Sequence, residues 1–189
     1  MKSRILILCL ITILLVTCYN GCIENNDTKN GNGENKFTLE EVALLESEIN
    51  NVEKLHEEYV EEQYYAENLT GNKIKWIIKE AYFAVFAGNT SRVTESLIRL
   101  ESKEKVTQNM ALYKPYLLTN DLTEQEMDTI GDTSFLLKGT MVINNNDTDA
   151  YILSFSMGDV IIALHGYGSD RNEIISYAKI IENKILDAI

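Results

Sequence analysis

Residues 37–189 predict an α+β domain, a largely antiparallel sheet with packed helices that include one at the C-terminus. Two observations lead to this fold. Runs rich in β-branched and aromatic residues over 73–87, 92–100, 133–143, 151–157 and 159–165 read as strands, in two groups. Apolar residues at three- and four-residue spacing mark helices before, between and after those groups.

Thr38 and Glu41 form a capping box and Phe37 can staple onto Val42, so a helix opens there. Val42, Leu45, Ile49 and Val52 continue its apolar stripe, which predicts docking on the sheet. Over 57–68, Glu57, Glu58, Glu61 and Glu62 interleave with Tyr59, Tyr64 and Tyr65, a pattern that fits a helix extension or an edge strand. Gly88-Asn89-Thr90-Ser91 is the turn between the first two strands. Ser102 can cap a helix carrying Val106, Met110, Tyr113 and Leu117. Pro115, the sole proline, predicts its end near Lys114, because a residue before proline is driven from the α region.

Gly158-Asp159 is a tight-hairpin dipeptide, and Val160-Ile161-Ile162-Ala163-Leu164 is continuously apolar, as in a strand covered on both faces. The last helix is capped at Asp170, with Glu173 three residues on, and buries Ile174, Ala178, Ile181 and Ile185. By this order of elements the stretch 73–189 resembles the PsbP/Mog1-like α-β-α sandwiches of small secreted lipoproteins. That resemblance implies a fold and no residue-level function.

The first 36 residues read differently. Lys2 and Arg4 precede the apolar run 5–16, interrupted only by Thr12, which is the layout of an export signal. A membrane-spanning helix needs roughly 20 apolar residues, so this run of 12 suits a cleaved signal. Extension through Asn20 to Ile23 is the signal-anchor alternative. The three cysteines, Cys9, Cys18 and Cys22, all lie here, which excludes a disulfide framework in the domain. Asn20-Gly21-Cys22-Ile23 resembles the signal ending of archaeal-type surface lipoproteins, which implies cleavage before Cys22 and a diacylglycerol-type lipid on it. Tyr19 stands where leucine is typical, so Cys18, after Leu15-Val16-Thr17, is the second candidate. Residues 24–36 contain nothing apolar and predict a flexible tether. The expected organisation is thus a signal peptide over 1–21, a lipid-anchored tether over 22–36 and one extracytoplasmic domain over 37–189.

From Cys22 onward, 15 basic residues face 29 acidic ones, a net charge of −14, which argues against nucleic acid or anionic lipid as a charge-driven partner. Asn26, Asn68, Asn89 and Asn146 open Asn-x-Ser/Thr sequons in stretches that read as tether or loop, and are candidate glycan acceptors in an exported chain.

Catalytic signals are sparse. Leu164-His165-Gly166-Tyr167-Gly168 is similar to the His-Gly-x-Gly loop of α/β-hydrolases, yet the chain has no Gly-x-Ser-x-Gly elbow. Two glycines that let a strand turn into a helix explain it. His56 and His165 are the only histidines, too few for a usual zinc site without carboxylate help. The polar run 144–149 lacks the central Gly and terminal Glu of an EF-hand. Trp76 and the tyrosines fit core packing as well as an apolar cleft.

The sequence therefore points to no catalytic residue, metal site or cofactor. It predicts a membrane-anchored extracytoplasmic lipoprotein whose domain binds a protein or small ligand. The alternative is a small secreted hydrolase using His165 and the Gly166/Gly168 turn.

Overall fold

The computed structural model describes residues 37–60, 64–66, 76–118, 122–143 and 146–189. The expected signal and tether, with Cys18, Cys22 and Asn26, lie outside them, as do Asn68 and the side chains of Trp76 and Asn146. Within the compact unit Lys36–Ile189, α1 (Leu39–Val42) and a 3-10 turn (Glu46–Glu48) precede β1 (Glu53–Val60), β2 (Tyr64–Ala66), β3 (Trp76–Ala87) and β4 (Arg92–Leu100). Next come α2 (Lys103–Leu118), β5 (Thr123–Gln125), β6 (Thr133–Ile143), β7 (Asn146–Met157), β8 (Val160–Tyr167) and α3 (Arg171–Ala188).

The strands form one antiparallel sheet in the order β1-β3-β4-β8-β7-β6-β5, with β2 also on β3. Two hairpin systems, β3–β4 and β6–β7–β8, meet where β8 pairs with β4 from Arg92↔Tyr167 to Arg99↔Val160. The last strand thus lands in the middle. That position demands apolar side chains on both faces, and 160–164 supplies them, all buried. Val160, Ile162 and Leu164 join Val93, Leu97, Leu153 and Phe155 in a core covered by α1 and α3. Ile161 and Ala163 alternate to the opposite face, where α2 packs across β4, β6, β7 and β8.

The capping boxes at Thr38 and Asp170 both form: Glu41 Oε2 accepts from the Thr38 N–H at 2.7 Å, and Asp170 Oδ1 accepts from the N–H groups of Asn172 and Glu173. α3 buries Ile174, Tyr177, Ala178, Ile181 and Ile185. The open segment 57–68 contributes strand, β1 and β2 along one edge. Leu55 bulges from β1 between Lys54 and His56 and stands 58 % exposed.

Three expectations are corrected. The helix opening at Leu39 does not run to Val52. It ends at Val42 because Ala43 is extended and the Leu44 N–H is taken by Glu95 on β4 instead of by a helical carbonyl. Leu45 consequently faces solvent. Pro115 does not stop α2 near Lys114. It sits exposed inside the helix, and the turn beyond it continues to Leu118, burying Leu117. Burial of that leucine offsets the hydrogen bond proline cannot make. Asn146 does not lie in a loop but opens β7, opposite Ile143, so Asp147, Thr148 and Asp149 are strand residues.

Residues 37–44 are strapped to the sheet by charges buried within strands. Glu80 of β3 accepts the Leu39 N–H at 2.6 Å and the Tyr59 hydroxyl at 2.8 Å, and pairs with Arg99 Nε at 2.7 Å. Arg99 also donates to the Phe37 carbonyl at 2.9 Å, reaches Asp159 at 3.3 Å and lies over the Phe37 ring. With Arg99 and Glu80 only 3 % and 5 % exposed, removing one partner strands the other in the core.

Arg99→Ala is expected to cost about 3–5 kcal/mol in urea unfolding. Ile162→Ala, in the doubly covered strand, should cost about 2–5 kcal/mol, whereas Leu186→Ala, at an exposed helix position, should stay within about 0.5 kcal/mol. Equal effects for the two apolar truncations would contradict the assigned core.

Candidate functional site

The residues singled out around 164–170 separate onto two faces. Alternation along β8 puts His165 on the α2 face, opposite Thr94 and Ile152 in register. Gly166 points the other way. A Cβ there would strike the Ile174 side chain and touch Cβ of Ser169, so this glycine lets α3 lie tightly on the strand. Gly168 has φ +69°, and a Cβ on it would run into the Thr90 carbonyl, which fixes the β8–α3 connection against the β3–β4 turn. Both glycines thus have structural work, and the sheet stands between Ser169 and the His165 imidazole.

His165 Nδ1 is enclosed and has no hydrogen-bond partner among the described residues, while the residue keeps partial solvent contact. Burial lowers its pKa from 6.5 to about 4, so the neutral ring is held at neutral pH. A bare, enclosed nitrogen accepts a proton poorly because the resulting N–H would have no acceptor there. His56 occupies the same sheet face on β1, opposite Val85, which pairs with Thr94 and thence His165. Three strand spacings, about 14 Å, separate the two imidazoles, so they do not share a metal. Glu57 and Glu58 point to opposite faces of β1, and among the described residues no group of three metal-ligating side chains converges.

A polar cleft opens where the β3–β4 turn meets the start of α3, lined by Asn51, Asn89, Thr90, Ser169, Glu173 and Tyr177. Its floor is tied by the Asn50 N–H donating to the Tyr177 hydroxyl at 3.4 Å. Asn89 is exposed at its rim, so of the sequons with a described side chain this one is open to solvent. The tyrosines split between layers. Tyr82, Tyr151 and Tyr177 are core residues facing α1 and α3, and Tyr113 of α2 packs on Phe135 with ring centroids 6.1 Å apart. The Tyr82 hydroxyl donates to Glu57 at 3.1 Å, and burial pushes its pKa up to about 12.

Glu80, Glu95 and Arg99 escaped the sequence reading. The signal was present in β4, where Val93, Glu95, Leu97 and Arg99 alternate in one phase. Period two assigns both charges to the buried face together with the valine and leucine.

No known family model matches this chain, and no curated protein matches it. Among solved structures, the crystal structure of the extracellular domain of PknH from Mycobacterium tuberculosis is similar, with TM-score 0.53 and 8 % identity over 77 % of this chain and 93 % of that one. At that identity the likeness is one of fold.

His165 makes a testable mark on acid stability. Its folded pKa is depressed below 6.5, so the unfolded chain binds the extra proton, and stability falls as pH drops from about 6.5 through about 4. The loss should be on the order of 2 kcal/mol, allowing for the solvent-touched edge of the ring. Urea unfolding of His165→Phe across that range should show this slope removed; an unchanged slope would place the proton elsewhere.

Proposed function

We propose that the protein is a membrane-anchored extracytoplasmic lipoprotein in which residues 37–189 form a non-catalytic domain that binds a protein or small-ligand partner. The observation that carries this reading is the distribution of cysteine: Cys9, Cys18 and Cys22 all precede the apolar-free run 24–36, and the domain has none. A thiol at the junction between an export signal and a polar spacer is where a lipid anchor belongs. On this reading the thirteen residues 24–36, acting as a tether, would give a mean reach of about 20 Å from the membrane surface.

Two further facts support it. Among the described residues no helix is long and apolar enough to cross a membrane, so any attachment through the N-terminus fits a domain that stands clear of the bilayer. The fold likeness to a domain described as extracellular agrees with an outward-facing location. The non-catalytic reading is supported by His165, whose enclosed nitrogen lies across the sheet from Ser169. On this reading the cleft beside Asn89 is the face open to a partner, and exposed Asn89 is a position that could carry a glycan.

Intact mass of the protein isolated from its native membrane tests the anchor. A chain beginning at Cys22 with added lipid mass is expected, and Cys22→Ser should abolish both cleavage and lipid. A species that retains residues 1–21 without lipid would overturn the proposal, and a chain beginning at Cys18 would move the anchor to that residue.

A further inference from the structure

Glu80 and Glu95 occupy neighbouring strands, face the same core and both receive a backbone N–H from the segment 37–49, yet their charges are compensated differently. Glu80 has the Arg99 guanidinium at 2.7 Å. Glu95 is 1 % exposed and, among the described residues, accepts only the Leu44 N–H, at 3.0 and 3.3 Å through its two oxygens. Among the described residues no cation comes within ion-pair distance of it. A carboxylate so enclosed, with a single neutral donor, is far more costly than its protonated form.

Its surroundings are ionisable on every side. From α3, Lys184 donates at 2.7 Å to the Ala43 carbonyl and at 2.7 Å to Glu48 Oε2, which in turn accepts the Leu45 N–H at 2.7 Å. From β1, Lys54 is engaged with Glu57 at 2.7 Å, and both contact the Tyr82 hydroxyl of β3. The two lysines pull the Glu95 carboxyl toward ionisation, Glu48 opposes them, and each lysine is already committed to another acid. Burial dominates.

We propose that residues 43–49 form a lid over the core, closed by protonated Glu95 and released when that carboxyl loses its proton. The two ends of the strap then behave unequally. Residues 37–39 are held by the Glu80–Arg99 ion pair, whereas 43–49 are held by the lone Glu95 carboxyl. Opening uncovers Leu44 and Ile49, which are 0 % and 5 % exposed when the lid is shut, and so presents apolar surface beside β4 and α3. This holds however the N-terminus is attached.

The sign follows from the raised carboxyl pKa, which burial moves from 4.5 to about 8. The closed state keeps a proton that the open state has released, so the latch is at full strength below about 4.5, weakens as pH rises from there to about 8 and is lost above that.

Hydrogen exchange of the full chain, corrected for the intrinsic pH dependence of amide exchange, reads this directly. Protection of the amides in 43–49 should fall about tenfold for each pH unit between about 4.5 and about 8 and level off above that, with β8 and the Leu39 amide unchanged. In Glu95→Gln, which keeps a neutral acceptor, protection there should be flat across the same range. Equal protection at all pH values in the wild type, or the same fall in Glu95→Gln, would overturn the proposal. Should that variant fail to fold, carboxyl 13C titration of the wild-type protein decides: every glutamate titrating in the ordinary range would refute the latch.

Discussion

The eight-residue pairing of β4 with β8 is the contact on which the other elements depend. Each half of the sheet, β1–β3–β4 on one side and β5–β6–β7–β8 on the other, is built from neighbours in sequence, but neither half encloses a core alone. When Arg92–Arg99 aligns with Val160–Tyr167, two short ribbons become one wide platform. Val93 and Leu97 are then brought beside Ile162 and Leu164, and α3, emerging directly from β8, can lie over the join. On the reverse side α2 bridges the same seam, since it packs on β4 and β8 as well as β6 and β7. The seam is thus covered twice. That is why β8 consists of apolar residues that do not alternate with polar ones.

Most of this organisation was legible in the sequence because it rests on local rules. Capping boxes at Thr38 and Asp170, the Gly158-Asp159 hairpin and the uninterrupted run 160–164 each follow from residues a few positions apart. The two misread helix ends involve distant partners, whereas Asn146, read as a loop, opens β7 opposite nearby Ile143. Leu45 and Ile49 keep helical spacing, but Glu95, some fifty positions on, captures the Leu44 N–H and turns the chain away. Pro115 fits a helix end by local sterics, yet Leu117 gains its burial from strands that follow it. The strand order itself, with the last strand in the centre, has no local signature.

The candidate site was less legible, for a related reason. The string 164–170 looks chemical as text because its residues are adjacent, but a strand sends adjacent side chains to opposite sides. His165 and Gly166 therefore serve separate layers. Conversely, Glu80, Glu95 and Arg99 look like ordinary surface charges in a chain as acidic as this one; alternation in β4 discloses that Glu95 and Arg99 are interior, and Glu80 follows only from its place opposite Arg99 on β3. Among the described residues, His165 beneath α2 and Glu95 beneath the strap are each enclosed without a counter-charge. They respond to protons in opposite senses, so the two faces of one sheet are tuned to different ends of the pH scale.

The margins of the sheet carry a consequence of their own. β1 is interrupted by the Leu55 bulge and set with Glu53, Lys54, His56, Glu57 and Glu58, features that discourage another strand from continuing the ladder. At the far margin β5 is three residues long and lies across the middle of β6, pairing with Leu136, Leu137 and Lys138, so only short stretches of β6 backbone remain free on either side. Among the described residues neither flank offers a long, flat row of unpaired amides and carbonyls. Many copies can therefore crowd at one surface without zipping edge to edge, and association has to proceed through side chains and loops instead of shared strands.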